Sequence, residues 1–215
     1  MDRGETEAAG ASLADEAYRA LLGDILSARL AGGTIVQERR LALRLGISRS
    51  PMRDALGRLE GQGLLVQNSK GALSVRVITL PDYLNSLAVR LLIEPTAAAL
   101  ASASFDTKEL RALSSRLTVL EKDEEPDPAR VQQFDDAVHD LIGEASGNPF
   151  IADVSRQMRR YTTMFEQQRK LAPRKAGIDE LRGILRALAD RDAEAARTVM
   201  TLHLEHIRQG VLATY

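Results

Sequence analysis

The stretch LALRLGISRSPMRDALGRL, Leu41 to Leu59, decides the reading of this chain. It divides around Gly46. On the N-terminal side, Glu38 to Leu45 puts Leu41 and Leu45 four residues apart, on one helix face. Gly46 tolerates the left-handed conformation that ends helices, and Ile47 is an apolar plug for the space between the halves. Ser48 is then an N-cap candidate, and Pro51 sits near a helix start, where its missing N–H costs little. Beyond it Met52, Ala55, Leu56 and Leu59 recur at threes and fours as an apolar stripe. Arg49, Ser50, Arg53 and Asp54 occupy the other face. Helix, short glycine turn, then a helix with Arg and Ser in its first turn is a helix-turn-helix pattern. Such a second helix enters a DNA major groove N-terminus first, which aims Arg49 and Arg53 at guanine edges or phosphates.

The flanks extend this pattern into a domain. Upstream, Leu13, Ala17, Leu21 and Ile25, with Leu22, Leu26 and Leu30 offset, predict an amphipathic helix over Ala14–Leu30. Ala31-Gly32-Gly33-Thr34 breaks it. Downstream, Gly61-Gln62-Gly63 stops the second helix. Leu64-Leu65-Val66 and Leu73 to Val77 are short β-prone runs around Gln67-Asn68-Ser69-Lys70-Gly71, a hairpin with an Asn/Gly turn. Lys70 and Gly71 at its tip suit close approach to a minor groove or phosphate; a solvated turn lysine is the plainer reading.

Charge follows the same division. The whole chain is at −1, which points to no general affinity for nucleic acid. Residues 19–76, however, carry ten Arg or Lys against four acids, while residues 79–215 carry 18 against 21. A basic module on a mildly acidic remainder fits a localised footprint.

After Thr79-Leu80-Pro81-Asp82, read as a linker with Pro81 and Asp82 opening a helix, everything reads as helical. The predicted helices are Asp82–Ser102, Thr107–Glu124, Pro128–Ser146, Pro149–Leu171, Ala176–Asp190 and Asp192–Leu212, separated by Pro, Gly, Asn and Asp punctuation. Six helices with short connections make an antiparallel bundle. The expected fold is therefore mainly α: a winged helix-turn-helix of three helices plus a hairpin, then an all-α bundle of about six helices. The expected organisation is a disordered 1–12, a DNA-binding domain at 13–78, a linker at 79–82, and an effector-binding and dimerisation domain at 83–215.

The run ERRLALRLGISRSPMRDALGRLEGQGLL resembles the winged-helix domain of GntR-family transcription regulators, over roughly residues 15–78. The later segments Arg90-Leu91-Leu92-Ile93-Glu94, Asp135-Asp136-Ala137-Val138-His139 with Gly147-Asn148, and Ile184 to Leu188 followed by Asp192 and His203 resemble the C-terminal FCD domain of the FadR-like subfamily. The resemblance implies a cytoplasmic, homodimeric regulator, a repressor released by a small-molecule effector, acting on double-stranded operator DNA. It places Arg39 on the helix before the turn and Arg49 and Arg53 on the recognition helix, with Ser48 and Ser50 on phosphates.

For the effector site, Asp135 and His139 project one turn apart on one helix face, a good two-point grip for a metal. In the family such a pair joins two later histidines to hold a divalent metal such as zinc. His203 matches one; the other falls at Leu181, which has no donor. The chain holds three histidines, His139, His203 and His206. Two readings stand. Either Asp135, His139 and His203 hold a metal with open positions for water or an effector carboxylate, or the metal is lost and the polar residues bind effector or one another. His206 reads as a surface residue. Arg90 lies in an otherwise apolar helix and must meet an acid: an effector carboxylate, or Glu94 one turn on. The run Arg156, Arg159 and Arg160 reads at least in part as a solvated face, and Asn148 as a helix cap.

Other classes find little support. The chain has no Cys, hence no disulfide or thiolate chemistry, and it has no Walker, dinucleotide or nucleophile-elbow motif. No apolar run approaches the 18 or so residues of a membrane span, and the polar, acidic N-terminus lacks the apolar core of a signal peptide. A metal-dependent hydrolase or a purely protein-interacting helical bundle are the alternatives; the missing H-E-x-x-H motif argues against the first and the basic winged helix against the second. The expectation is a regulator and not an enzyme.

Overall fold

The computed structural model describes residues 12–169 and 175–215, with Lys175 and Ala176 as backbone only. The chain divides into two compact units, the boundary lying between Ile78 and Thr79. The disorder expected of residues 1–11 falls outside the described residues, but Ser12 does not fit that expectation. It caps α1 (Leu13–Leu26) in a reciprocal box, its hydroxyl accepting from the Asp15 N–H while the Asp15 carboxylate accepts from the Ser12 N–H. This satisfies two of the orphan donors at the helix start.

In the first unit α1 packs against α3 (Arg49–Gly61), and α2 (Glu38–Leu45) closes the three-helix set. The apolar stripe of α3 is the buried one: Met52, Ala55, Leu56 and Leu59 all lie inside, against Leu21 and Ile25 of α1 and Leu41 of α2. Gly46 adopts φ +66°, the left-handed C-cap that lets α2 stop in one residue. Ser48 stands at the N-cap of α3 in extended conformation, although its side chain makes no capping hydrogen bond. Strands β1 (Leu65–Gln67) and β2 (Leu73–Val75) pair antiparallel with Val66 opposite Ser74. The hairpin turn is held by Asn68, whose Oδ1 accepts from the Lys70 and Ala72 N–H groups, while Gly71 takes φ +74°. A single bridge from Ile35 to Ser74 adds the upstream segment to this small sheet.

Helix α1 ends four residues earlier than its periodicity predicts. Ser27 returns its hydroxyl to the Gly23 carbonyl, Ala28 turns at φ +55°, and Arg29 folds back so that its Nε donates to Asp24. That carboxylate is nearly buried and also takes Arg44 from α2. Leu30 thus belongs to the turn.

In the second unit six helices follow among the described residues: α4 (Leu80–Ser104), α5 (Thr107–Glu121), α6 (Pro128–Ala145), α7 (Pro149–Arg169), α8 (Lys175–Ala189) and α9 (Ala193–Leu212). Helix α4 is the hub, packing against α6, α7, α8 and α9, with α5 laid against α8 and α6. Its apolar length meets the composition test for a membrane span, yet half of that stretch is buried inside the bundle. The predicted helices are all present, four of their ends coinciding and the others shifted by one to three residues; the predicted extension of α7 to Leu171 falls outside the described residues. Asn148 caps α7, its Oδ1 accepting from the Phe150 and Ile151 N–H groups.

The linker expected at 79–82 is shorter. Helix α4 begins at Leu80, because Thr79 and Asp82 form another capping box with Pro81 in the first turn. Sequence reading placed Asp82 at the start; the threonine three residues before it is the true cap. Accordingly, Thr79→Ala should lower the unfolding free energy by about 1 kcal/mol in urea titrations. A helix beginning at Asp82 would leave that substitution without effect.

Candidate functional site

Burying charge in the middle of a helical bundle requires partners, and tracing those partners outlines the site. Arg90 and Glu94 are both buried on α4, one turn apart. The Arg90 Nε donates to Glu94 Oε1 at 2.8 Å and its Nη1 to the Thr162 hydroxyl of α7 at 3.2 Å. The other Glu94 oxygen lies 2.8 Å from Nδ1 of His139 on α6. Across from it, His203 on α9 sets its own Nδ1 2.9 Å from Glu180 Oε2 on α8, and the second Glu180 oxygen lies 2.7 Å from Nδ1 of His206. His203 is therefore anchored through Nδ1 by a carboxylate, and His139 sets its Nδ1 at ion-pair distance from another without a hydrogen bond of good geometry; both turn Nε2 inward.

The two inward nitrogens meet Asp135. His139 Nε2 and His203 Nε2 are 3.3 Å apart, and Asp135 Oδ1 lies 3.6 Å from the first and 3.4 Å from the second. Bonds of about 2.1 Å to a divalent ion in tetrahedral geometry put neighbouring donors roughly 3.4 Å apart. The three donors thus have the spacing of one face of such a shell, and carboxylate-anchored imidazoles are the usual way ligating histidines are held. The donor set fits a divalent ion. Leu181, the position where the sequence resemblance led to the expectation of a further histidine, is buried and offers no donor.

Protonation answers to the same contacts. Burial opposes charge on His203, but Asp135 and Glu180 outweigh it and hold the imidazole up to about 9. Burial would likewise raise Glu94, yet Arg90 and His139 bring it down to about 2. Asp135 is held well below the usual carboxylate range by the two histidines, again against burial. Glu166 goes the other way. Burial pushes it up to about 7, helped by Asp135 and Asp136, despite the Tyr83 hydroxyl that donates to it at 3.0 Å.

Some of these groups, but not His139 or Glu94, line a cavity of about 290 Å³ walled by α4, α6, α7, α8 and α9. Its wall includes Arg90, Asp135, Arg159, Glu166, Leu181 and His203. The volume is at the small end of ligand cavities, suited to a molecule of few heavy atoms. Arg159 corrects the sequence expectation. Within the Arg156–Arg160 run it is not solvated but 4% exposed. Its Nη groups bind the Asp136 carbonyl and the Asp140 carboxylate, and its Nε is buried with no hydrogen-bond partner among the described residues. Its signal was periodic: Ser155, Arg159, Thr162 and Thr163 recur at threes and fours on the buried face of α7. Glu94 was read as no more than a partner for Arg90, and Glu180 was not singled out at all, because an acid beside a leucine carries no motif.

In the first unit Arg39, Ser48, Arg49, Ser50, Arg53, Lys70 and Gly71 are all exposed. Arg49 and Arg53 share a partner: their Nε groups donate to the two oxygens of Glu38, at 2.7 and 2.9 Å. Glu38 was read as the start of α2 and not as part of this surface. His206 is half exposed, as expected, but is tied to Glu180.

Comparison with known proteins gives this arrangement its context. Residues 13–75 match the bacterial regulatory proteins of the gntR family, and residues 85–206 match the FCD domain. The HTH-type transcriptional repressor RspR of Escherichia coli K12 is 25% identical over 204 residues, spanning 90% of this chain and 86% of that protein. A putative L-lactate dehydrogenase operon regulatory protein of the same strain is 27% identical over 207 residues, spanning 82% of this chain and 77% of that one. Among solved structures, E. coli McbR/YncC superposes with a TM-score of 0.83 at 20% identity, covering 96% of this chain and all of that one (100%). A putative GntR regulator from Rhodococcus sp. RHA1 gives 0.78 at 20% identity, covering 95% and 100%. The helix-turn-helix with its hairpin and the six-helix unit behind it are thus a matched pair of modules: the chain belongs to the GntR family of bacterial transcription regulators, in the branch that carries an FCD effector-binding domain.

Proposed function

We propose that this regulator is a cytoplasmic repressor that binds operator DNA as a homodimer and is released by a small organic acid held at a divalent ion in the second unit. The observation that carries the effector half is the triangle of Asp135, His139 and His203, with edges of 3.3 to 3.6 Å, two corners of which, Asp135 and His203, line a cavity of about 290 Å³. Three protein donors leave the remaining coordination positions to water or to an oxygen of the effector. With Leu181 in place of a further imidazole, one more position faces the cavity than in a four-ligand site. A bound divalent ion supplies a fixed positive charge for an anionic group. The chain's own residues supply the rest: Arg90 and Arg159 add positive charge to the wall, and the orphan Nε–H of Arg159 is a donor in need of an acceptor. Arg90 is paired with Glu94 and Arg159 with Asp140, so each contributes as part of an ion pair, and of the two only Arg159 keeps an unpartnered Nε–H. The naming of one relative for an L-lactate dehydrogenase operon, and of another as a repressor, agrees with a small carboxylate and with release by effector.

On the DNA side, a homodimer presents two α3 helices to the two halves of a pseudo-palindromic site. In this reading Arg39 contacts DNA, Arg49 and Arg53 meet guanine edges or phosphates, Ser48 and Ser50 take phosphates, and Lys70 with Gly71 brings the hairpin tip to the minor groove or backbone. The exposure of all seven supports this assignment.

Two outcomes are expected. Arg49→Ala should cost about 1–3 kcal/mol of operator affinity in a gel-shift titration; unchanged affinity would remove Arg49 from the reading surface. For the second unit, elemental analysis of the purified protein should find a divalent ion. Chelation should lower the melting temperature, and a screen of small organic acids should find one that raises it. Asp135→Ala should lose both the ion and the response to the acid. Absence of any ion together with no stabilisation by any acid would overturn the effector site and leave DNA binding intact.

A further inference from the structure

The bridge from Glu38 to Arg49 and Arg53 is hard to explain as a stabilising device. The two arginine side chains are 67% and 63% exposed, and exposed ion pairs contribute little to stability. Its geometry is nonetheless specific. One carboxylate, at the first position of α2, spreads its two oxygens between two arginines one turn apart on α3. Each arginine donates from Nε, so the Nη pair of each keeps its donors for another partner. That pair is the fork which reads the O6 and N7 of guanine side by side. Glu38 itself is held below the ordinary carboxylate range by Arg49 and then Arg53, so it is charged wherever DNA is bound.

We infer that Glu38 is a positioning residue for operator recognition: it pre-sets the guanidinium groups of Arg49 and Arg53 so that both meet the base edges already oriented. This rests on the DNA-reading role proposed for those arginines and adds a residue that need not touch DNA. The physical gain is entropic. A long arginine side chain gives up rotamer freedom on binding, and a fixed partner removes that freedom before the encounter. The cost is a negative charge carried close to phosphates, which by itself weakens all DNA binding.

These two effects have opposite signs, which makes the inference testable. A binding site is first selected with the wild-type protein from duplexes randomised over 20 base pairs, and binding to that duplex and to a scrambled one is compared by fluorescence anisotropy. For Glu38→Ala, affinity for the selected duplex should fall roughly tenfold, the scale of one well-made base contact. Affinity for the scrambled duplex should hold or rise, because a repulsive charge is gone. Glu38→Gln, which keeps an acceptor for one arginine, should fall between. A repeat selection with Glu38→Ala should lose base preference at the positions that Arg49→Ala also blurs. If Glu38→Ala tightens both duplexes by the same factor, Glu38 is only a repulsive charge and the inference fails. If Arg49→Ala weakens the selected duplex while Glu38→Ala and Glu38→Gln leave the ratio of the two affinities unchanged, the positioning role fails and the reading of Arg49 survives. If Arg49→Ala itself changes nothing, the underlying DNA assignment fails first. A thermal melt of each variant separates these outcomes from unfolding; should the alanine variant melt early, the glutamine variant decides.

Discussion

Two opposite charges buried one turn apart on α4 shape the whole second unit. Arg90 and Glu94 sit at 3% and 2% exposure in a helix of Leu, Val, Ile and Ala. Neither could remain ionised there alone, because moving a lone charge out of water costs far more than a domain's net stability. Each therefore enlists more than the other: Arg90 takes Thr162 from α7, and Glu94 takes His139 from α6. His139 then faces His203 of α9, which leans on Glu180 of α8. One pair on the hub helix has recruited a polar group from every other helix that packs against it. Such networks seldom add stability over an apolar core, but they require one arrangement of the helices. What they leave at the centre is a cluster of inward Nε2 atoms and a carboxylate, a place prepared for positive charge.

The first unit is governed by a simpler constraint. Two short helices must meet at a sharp angle and still bury Leu41, Met52 and Leu59 together. Gly46 at φ +66° makes that corner, and α1 covers the result. These are local, periodic requirements, and they were legible from the chain: the stripe on α3, the glycine stop and the Asn/Gly hairpin could be read before any coordinates. The six later helices were legible for the same reason, since Pro, Gly, Asn and Asp mark their ends. Where boundaries slipped, a side-chain hydrogen bond had outvoted periodicity, as Thr79 did for α4 and Ser27 for α1.

Spacing made the site legible only where its residues share an element, and His203 on α9 came from the family resemblance alone. Asp135 and His139 stand four apart on α6, so spacing alone proposes them. Arg90 and Glu94 likewise announce each other on α4. Glu180 does not, because its partners lie on another helix and nothing local distinguishes it from surface charge, and Arg159 is marked only by its period with Ser155, Thr162 and Thr163. Glu38 escaped for the same reason, since its bond to Arg49 and Arg53 crosses the turn. Leu181 adds a buried apolar wall to the cavity that Asp135 and His203 line.

The two units make one regulator only if occupancy of the second changes DNA binding by the first. This coupling is a free energy, and it must be reciprocal. The most direct test is an anisotropy titration of the selected operator duplex with and without a saturating acid identified by thermal shift, on wild type and on Asp135→Ala. The acid should weaken operator binding of the wild type by at least about fivefold, the lower end of typical allosteric coupling, and leave the variant's binding unaltered. Equal operator affinity with and without an acid that demonstrably occupies the wild-type cavity would contradict that coupling.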